Sequence, residues 1–590
     1  MAITHFPTRG NFVPLTALGK RAGGGDVAAD LDVDFDIDAA LAAFEAEERA
    51  RLGLPGDDVV AHYVEPIFDA PTTADKAHTT ILVSGLTLAQ DHLVEGALKG
   101  LGYQVESLPC PDEEALRYGK EFGSRGQCNP TWFTVGNLVK HLAHLRDRQG
   151  LATADIIERY VFLTSGSCGP CRFGMYVTEY RKALRDAGFE GFRVMLFQMN
   201  GGIEQASGDA APGGEAKGLV FDPKFFWSIA KALLIGDALN VIGYRLRPYE
   251  LEPGATDRAL EAAKGILYDA MHKRTNLLVA MLRARFILRR VKVDRLRVKP
   301  KVALLGEFWA MTTEGDGSYN MQRFLESEGA EVDIQTVTQW IAYMVWEAHR
   351  DTTHRETLRQ ADQARKGLTG KDPWKQRLML RVADKALRGL FQGLANTVGL
   401  HAYPIPDIQT LADLSADFYN HDVRGGEAFL EVGKLISNVV KQKVTMTISI
   451  KPFGCMPSSG VSDGVQSAII ELYPEAIFLP VETTGDGAVN AYSRVQMMLF
   501  KARQAAEREL GEVLEAYGMS RDEVARAAAR LPLVNRALFK APHRWGSTAA
   551  DTAELVGTLR HPVTGLRRWL DHARHRPVFK AGRHRAPATA

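Results

Sequence analysis

The sequence predicts an α/β protein with two parallel-sheet lobes joined by a helical region and extended at both ends. Short apolar runs, such as residues 81–83 and the run that begins at Lys301, are typical of buried parallel strands. Each run is followed by a helical pattern and then by a further strand, and that succession favours a parallel sheet. Between the two units, residues 223–290 have helical periodicity throughout.

Chain length sets the number of packed units. A chain of 590 residues is too long for one hydrophobic core, so about two to four units are expected.

A helix over residues 39–52 is predicted to be a docking element. The basic tail is typical of a solvated or disordered segment, and contact with an acidic partner is the less common alternative. The predicted division is an N-terminal arm (1–75), a first α/β lobe (76–222), a helical bridge (223–298), a second α/β lobe with a helical insert (299–504), and a helical and basic C-terminal extension (505–590).

Composition indicates an ordinary globular protein. Hydrophobic residues make up 45% of the chain and charged residues 24%, and the formal net charge is +1. That balance gives no reason to expect a nucleic-acid or membrane partner. No apolar run approaches the roughly 20 residues that span a bilayer, and the N-terminus lacks a secretory signal, so a cytoplasmic location is expected.

The cysteines are the main candidates for chemistry. Five are too few for a disulfide scaffold in a chain of this length. Four of them stand in Gly- and Pro-containing loops beside predicted strand ends or helix starts. Since loops at the carboxyl ends of parallel strands can converge on one crevice, distant cysteines can share a site. The four are Cys128 in GQCNP, Cys168 and Cys171 in TSGSCGPCR, and Cys455 in ISIKPFGCMP.

Residue types alone leave the chemistry of these loops open. A C-x-x-C pair such as Cys168 and Cys171 is compatible with an iron–sulfur cluster, zinc or thiol–disulfide exchange. Arg172 could lower the pKa of a thiolate or balance the charge of a cluster. Cys110 lacks a Gly-rich setting and is interpreted as a small buried hydrophobe. Two glycine-containing stretches, residues 312–320 and 481–494, are interpreted as phosphate cradles or as tight turns.

Several longer motifs carry a resemblance to a known family. They are GQCNPTWFTVGN, SGSCGPCRFGMY, IGDALNVIGYRLRPYELEPGATD, LLGEFW with FLESEGAEV, and KPFGCMPS. The chain resembles the 2-hydroxyglutaryl-CoA (2-hydroxyacyl-CoA) dehydratase family over about residues 78–503. It is most similar to the branch related to the C-terminal half of large acyl-CoA dehydratase activase-related proteins. The resemblance implies two Rossmann-like lobes and an iron–sulfur cluster (4Fe-4S or double-cubane) held by Cys128, Cys171 and Cys455.

The resemblance also implies a function. A separate ATP-hydrolysing activator supplies one electron, which reaches a CoA-thioester carbonyl, and the resulting ketyl radical expels the neighbouring hydroxyl. The chain would then be a lyase or a low-potential reductase of a small molecule, with a homo- or hetero-dimer expected.

Cys168 departs from the family pattern, so its role decides between alternatives. If it is a fourth ligand, the cluster is closed, and the chain is a non-catalytic cluster or zinc-binding electron-relay subunit. If it is not, an open iron remains for catalysis. A thiol–disulfide oxidoreductase using Cys168 and Cys171 is a third alternative, although it leaves Cys128 and Cys455 unexplained.

Overall fold

The computed structural model describes residues 37–52, 76–166, 171–198, 205–206, 220–357, 372–423, 426 and 428–575. The chain divides into two compact units, Met1–Ile67 and Phe68–Ala590. In the first unit, helix α1 (Ile37–Leu52) covers the helix predicted at 39–52, and Leu41, Phe44 and Leu52 are all exposed on it. A role of α1 in docking stays a prediction.

The first lobe is built on a parallel sheet of four strands in the order β2-β1-β3-β4. Successive residues of a strand point to opposite faces of the sheet. In the first strand, β1 (Thr80–Val83), Ile81 and Val83 therefore pack in one core with Leu93. Leu82 packs on the other face with Leu138. The elements are β1 (Thr80–Val83), α2 (Leu88–Lys99), β2 (Gln104–Ser107), α3 (Glu113–Phe122), α4 (Asn129–Asp147), α5 (Thr153–Arg159), β3 (Tyr160–Gly166), α6 (Tyr176–Asp186) and β4 (Arg193–Gln198), followed by a small antiparallel pair, β5 (Gln205–Ala206) and β6 (Val220–Phe221).

A helical region follows, made of α7 (Pro223–Leu246), α8 (Ala255–His272) and α9 (Leu277–Leu288). Within the described residues, one segment, Pro223–Tyr249, is long and apolar enough to cross a membrane, with a mean hydropathy of 1.5. The expectation that no apolar run approaches this length was therefore wrong. However, 56% of its most apolar 18-residue stretch is buried, and α7 packs against α2 and α8 as a core helix does. The segment is therefore weak evidence for a membrane span.

The second lobe repeats the architecture of the first. Its four strands are parallel and lie in the order β8-β7-β9-β10, which matches the order of the first sheet. The prediction of two parallel-sheet lobes is thus confirmed. The elements are β7 (Lys301–Gly306), α10 (Phe308–Thr312), α11 (Met321–Ser327), β8 (Glu331–Ile334), α12 (Val337–Thr357), α13 (Pro373–Val398), α14 (Ile408–Ser415), α15 (Ala428–Val440), β9 (Met446–Pro452), α16 (Met456–Gly460), α17 (Gln466–Leu472) and β10 (Phe478–Thr483).

The C-terminal part is helical and has a core of its own. Val513 and Tyr517 pack there with Val524 and Val556. The four helices are α18 (Ala488–Tyr517), α19 (Arg521–Ala529), α20 (Thr548–Arg560) and α21 (Pro562–His575).

Helix boundaries near the cysteines differ from the sequence prediction. Helix α4 begins at Asn129 rather than near Thr134, because Cys128 is its N-cap and Pro130 suits the first turn. Helix α3 was missed, since Gly119 makes it resemble a loop. That glycine is needed for close packing: a Cβ there would lie 1.8 Å from the carbonyl oxygen of Trp132 on α4.

Buried polar contacts connect the lobes to the helical region. Asp237, in the middle of α7, is only 2% exposed. Its carboxylate accepts hydrogen bonds from the Gln90 amide of the first lobe (3.0 Å) and from the Val337 and Thr338 backbone N–H groups of the second (3.1 and 2.6 Å). The same residue that interrupts the apolar run of α7 therefore holds both lobes to it.

A second buried carboxylate lies close to the other lobe. Asp91 on α2 is 6% exposed. Burial raises its pKa from 3.8 to about 7, the backbone N–H groups of Leu86 and Gly85 oppose the rise, and the carboxylate of Glu314 adds to it. The folded state therefore holds the Asp91 proton more tightly than the unfolded state does.

This shift predicts a pH-dependent effect of Asp91→Asn. Asp91 favours folding at low pH, and this contribution is lost as pH rises from about 4 to about 7. The stability of the variant relative to the parent should increase between pH 5 and pH 8 and then level off, as measured by denaturant unfolding. Asp155→Asn, at an exposed position, is the control for the loss of a carboxylate that is not buried. A flat difference for Asp91→Asn would contradict the raised pKa.

Candidate functional site

Two of the cysteine loops occupy equivalent positions in the two lobes. Cys171 follows β3 and Cys455 follows β9, each the third strand of its sheet. In the shared strand order, the carboxyl ends of the first and third strands form the switch point at which α/β sheets bind ligands. Both loops therefore lie where the fold places a binding crevice.

Cys128 lies at the start of α4 and is buried, with 6% of its surface exposed. Its Sγ atom is 3.0 Å from Thr131 Oγ1 and 3.3 Å from Tyr176 Oη. Burial raises the pKa of Tyr176 well above its ordinary value, and Cys128 and Glu307 add to the rise. Tyr176 therefore keeps its proton and can donate a hydrogen bond to the sulfur.

The Cys455 loop of the second lobe rests on the start of α4. The backbone N–H of Asn129 donates to the carbonyl oxygen of Phe453 (2.9 Å). Gly454 has a φ of +76°, and a Cβ at this position would lie 3.1 Å from the Cα of Cys128. Since neighbouring Cα atoms are about 3.8 Å apart, the Cα atoms of Cys128 and Cys455 lie within roughly 9 Å of each other. Cys455, like Cys128, is 6% exposed and is the N-cap of a helix.

The Cys171 segment contacts the same region from the first lobe. Cys171 is the N-cap of a short 3₁₀ helix, Arg172–Met175, and is partly exposed. The Arg172 guanidinium donates a hydrogen bond to the carbonyl oxygen of Gly126, and Tyr176, at the end of this turn, reaches the sulfur of Cys128. Arg172 thus ties the Cys171 segment to the loop before Cys128, and its predicted effect on a thiolate stays a prediction.

The other two cysteines are Cys110 and Cys168. Cys168 lies outside the described residues. Cys110 packs against the second lobe, where a Cβ on Gly315 would lie 2.6 Å from its sulfur. Burial raises the pKa of Cys110 to about 11, and Glu314 adds to the rise. Cys110 therefore stays a protonated thiol at neutral pH.

Cys128, Cys171 and Cys455 are the candidate ligands for a metal cluster. Thiols at helix N-caps have unpaired backbone N–H groups beside them, which suit an anionic thiolate cluster. However, no three His, Cys, Asp or Glu side chains within the described ranges are already arranged to hold a metal ion. The described loops thus fit a thiolate-bound group by residue type and position, and they do not form a finished cage.

Sequence reasoning missed several polar residues of this crevice. Thr131 and Tyr176 lie within the motifs GQCNPTWFTVGN and SGSCGPCRFGMY, and the spacing of Cys128 and Thr131 along a helix start is the signal that could have predicted a role for Thr131. Asn129 is 0% exposed, and neither polar atom of its side chain has a hydrogen-bond partner among the described residues. Glu307 follows β7, and its position was not predicted because it depends on how the two lobes pack.

Exposed apolar side chains border the cysteine loops. Met175, Phe453 and Met456 are 58%, 48% and 52% exposed. Each is within four residues of Cys171 or Cys455 in the sequence. The loops therefore present apolar surface to solvent beside the partly exposed Cys171 and the buried Cys455.

Fold and site together define a two-lobed α/β protein with cysteine-bearing loops from both lobes at one crevice. Neither a protein-family model nor a curated protein matches the chain.

The contact of Gly454 with Cys128 predicts the effect of Gly454→Ala. An added Cβ meets the backbone of residues 127 and 128 at 3.1 Å and the positive φ is strained, so the Cys455 loop should move away from α4. The thiols of Cys128 and Cys455 should then react faster with a maleimide, measured by mass spectrometry. Gly460→Ala is the matched control, because nothing lies within 4 Å of its added Cβ. Equal reaction rates in both variants would contradict the contact.

Proposed function

We propose that this protein is a cytoplasmic iron–sulfur redox protein of the 2-hydroxyacyl-CoA dehydratase type. It would accept electrons from a separate ATP-hydrolysing activator and use them for radical dehydration or reduction of a CoA thioester or another small molecule. The observation that supports this proposal is the convergence of three cysteine segments, around residues 128, 171 and 455, that are far apart in sequence and come from both lobes.

The residues of the crevice would have distinct roles. Cys128, Cys171 and Cys455 would hold the cluster, with Cys168 as the candidate fourth ligand. A bound cluster would supply one-electron transfer at low potential. The O–H groups of Thr131 and Tyr176, at 3.0 and 3.3 Å from the Cys128 sulfur, would donate hydrogen bonds to its thiolate and so stabilise the negative charge there.

The surface beside the crevice suits an electron donor. Electron-transfer partners bind weakly and over small areas, so a few exposed apolar side chains close to the redox group are sufficient. Met175, Phe453 and Met456 provide such side chains beside Cys171 and Cys455. We assign this rim as the contact surface for the activator.

Replacing the proposed ligands one at a time tests the function. Cys128→Ser, Cys171→Ser and Cys455→Ser should each lose most of the iron, the acid-labile sulfide and the broad visible absorbance after anaerobic purification, because serine is a poor ligand for these metals. Cys110→Ser is the matched control and should keep all three. A parent protein without iron and sulfide would refute the proposal, as would ligand variants that keep the full amount.

The same experiment separates the alternatives. Stoichiometric zinc in place of iron would favour the zinc-binding relay subunit. In the iron-loaded protein, a Cys168→Ala variant that gains a ligand-responsive EPR signal would show that Cys168 closes the cluster in the parent. An unchanged signal would leave the open, catalytic arrangement.

A further inference from the structure

A second site candidate lies away from the cysteines, inside the second lobe. A cavity of about 300 Å³ is enclosed by β7, β8, α7, α15, the loop at residues 402–406 and the segment at residues 540–543. Lys301 and Glu331, the first residues of β7 and β8, line it, so it reaches the amino ends of these strands. It extends along these strands to Leu305 and Ile334, and none of its lining residues is a cysteine. The volume is at the lower end of the range for small-molecule sites, about 300–1,000 Å³.

The cavity is rich in basic side chains. Five Lys and Arg side chains and His543 line it, against two carboxylates, so the formal excess is three positive charges when all five Lys and Arg side chains are protonated. This excess is unusual for side chains that are only partly exposed, because unbalanced buried charge is costly. The basic residues are Arg245, Lys301, Lys434, Lys443 and Lys540, and the acidic residues are Glu331 and Asp333.

The two carboxylates cannot balance this charge. Glu331 already accepts hydrogen bonds from Tyr249 (2.9 Å) and Thr548 (2.5 Å) and lies 3.8 Å from the ammonium group of Lys301. Asp333 is left as the shared counter-charge for the other cations. Four of these cations, on Lys301, Lys434, Lys540 and Arg245, lower its pKa.

Three lysines therefore face the cavity without a close partner. In the part of the chain that the structure describes, the ammonium groups of Lys434, Lys443 and Lys540 form no hydrogen bond and no ion pair. Burial lowers the pKa of Lys434 and of Lys540 to about 7, and neighbouring cations contribute to this fall. A bound anion would reverse the effect, because it would favour the charged ammonium groups.

Contacts with neighbouring residues hold the cationic wall in place. The Arg245 guanidinium donates to the carbonyl oxygen of His401 (3.1 Å) and stacks on Tyr403 at 5.1 Å. Arg295 donates to the carbonyl oxygens of Val534 (3.1 Å) and Arg536 (3.0 Å) and so fixes the segment that leads to Lys540. The site is therefore largely organised before a ligand binds.

We propose that this cavity binds a small ligand that carries a diphosphate or triphosphate group. Such a group concentrates several negative charges in a small volume, and flexible lysine ammonium groups are well suited to it. The rest of the wall combines apolar and aromatic side chains, such as Leu305, Ile334 and Tyr403, with polar ones such as Gln335 and Asn438, and suits the organic part of the ligand. The C-terminal extension has a role in this site, because it supplies Lys540.

Inorganic tripolyphosphate is the probe that tests the site on the full-length protein. Calorimetry should show saturable binding at constant ionic strength. Lys434→Met and Lys540→Met should each weaken it by at least about tenfold, because each removes a charge-assisted hydrogen bond. Lys501→Met, on the exposed side of α18, should leave it unchanged. No saturable binding, equal affinity for citrate, or unchanged affinity in both cavity variants would overturn the proposal.

A second measurement needs no variant. Since burial lowers the pKa of Lys434 and Lys540 to about 7, a larger share of their amines is neutral and nucleophilic at pH 7.5 than in an exposed lysine. Amine acylation read by mass spectrometry should label both, and tripolyphosphate should protect both by several-fold while Lys501 stays unprotected. Equal labelling with and without tripolyphosphate would refute binding in the cavity.

Discussion

The contact between the Cys455 loop and the start of α4 is the constraint on which the candidate site depends. A backbone hydrogen bond joins Asn129 to Phe453, and Gly454 allows the two chains to approach to van der Waals distance. The first lobe alone supplies Cys128 and Cys171, and this contact adds Cys455 from the second lobe. Because the contact uses backbone atoms and one glycine, it brings Cys128 and Cys455 together without help from either thiol.

The rest of the fold supports this arrangement. Both sheets have the same strand order, so each lobe presents the loop after its third strand at the equivalent edge. Helix α7 holds the lobes in register through the buried carboxylate of Asp237, which accepts from residues of both. The ring of Trp309 packs against Phe133 of α4, with 5.7 Å between ring centroids, and adds an apolar contact between the lobes near the same edge. The proposed phosphate cavity lies along β7 and β8 of the second sheet, and none of its lining residues is a cysteine, so one scaffold can carry two separate sites.

The sequence was sufficient for the local features and insufficient for those that depend on packing. Apolar runs such as that at Ile81 predicted the strands, and the Gly- and Pro-containing loops predicted cysteines beside strand ends. Both features depend only on residues that are close together in the sequence. The approach of Gly454 to Cys128 and the position of Tyr176 were not predictable, since they depend on how lobes meet. The cavity around Lys434 was likewise not predictable, because the fold brings together segments more than 100 residues apart.

The most direct test of the account is anomalous diffraction at the iron edge from crystals of the anaerobically purified protein. The account predicts an iron peak in the crevice between the lobes, in contact with the sulfur atoms of Cys128, Cys171 and Cys455. The absence of iron from this crevice in fully loaded protein, or an iron peak bound only elsewhere, would contradict it.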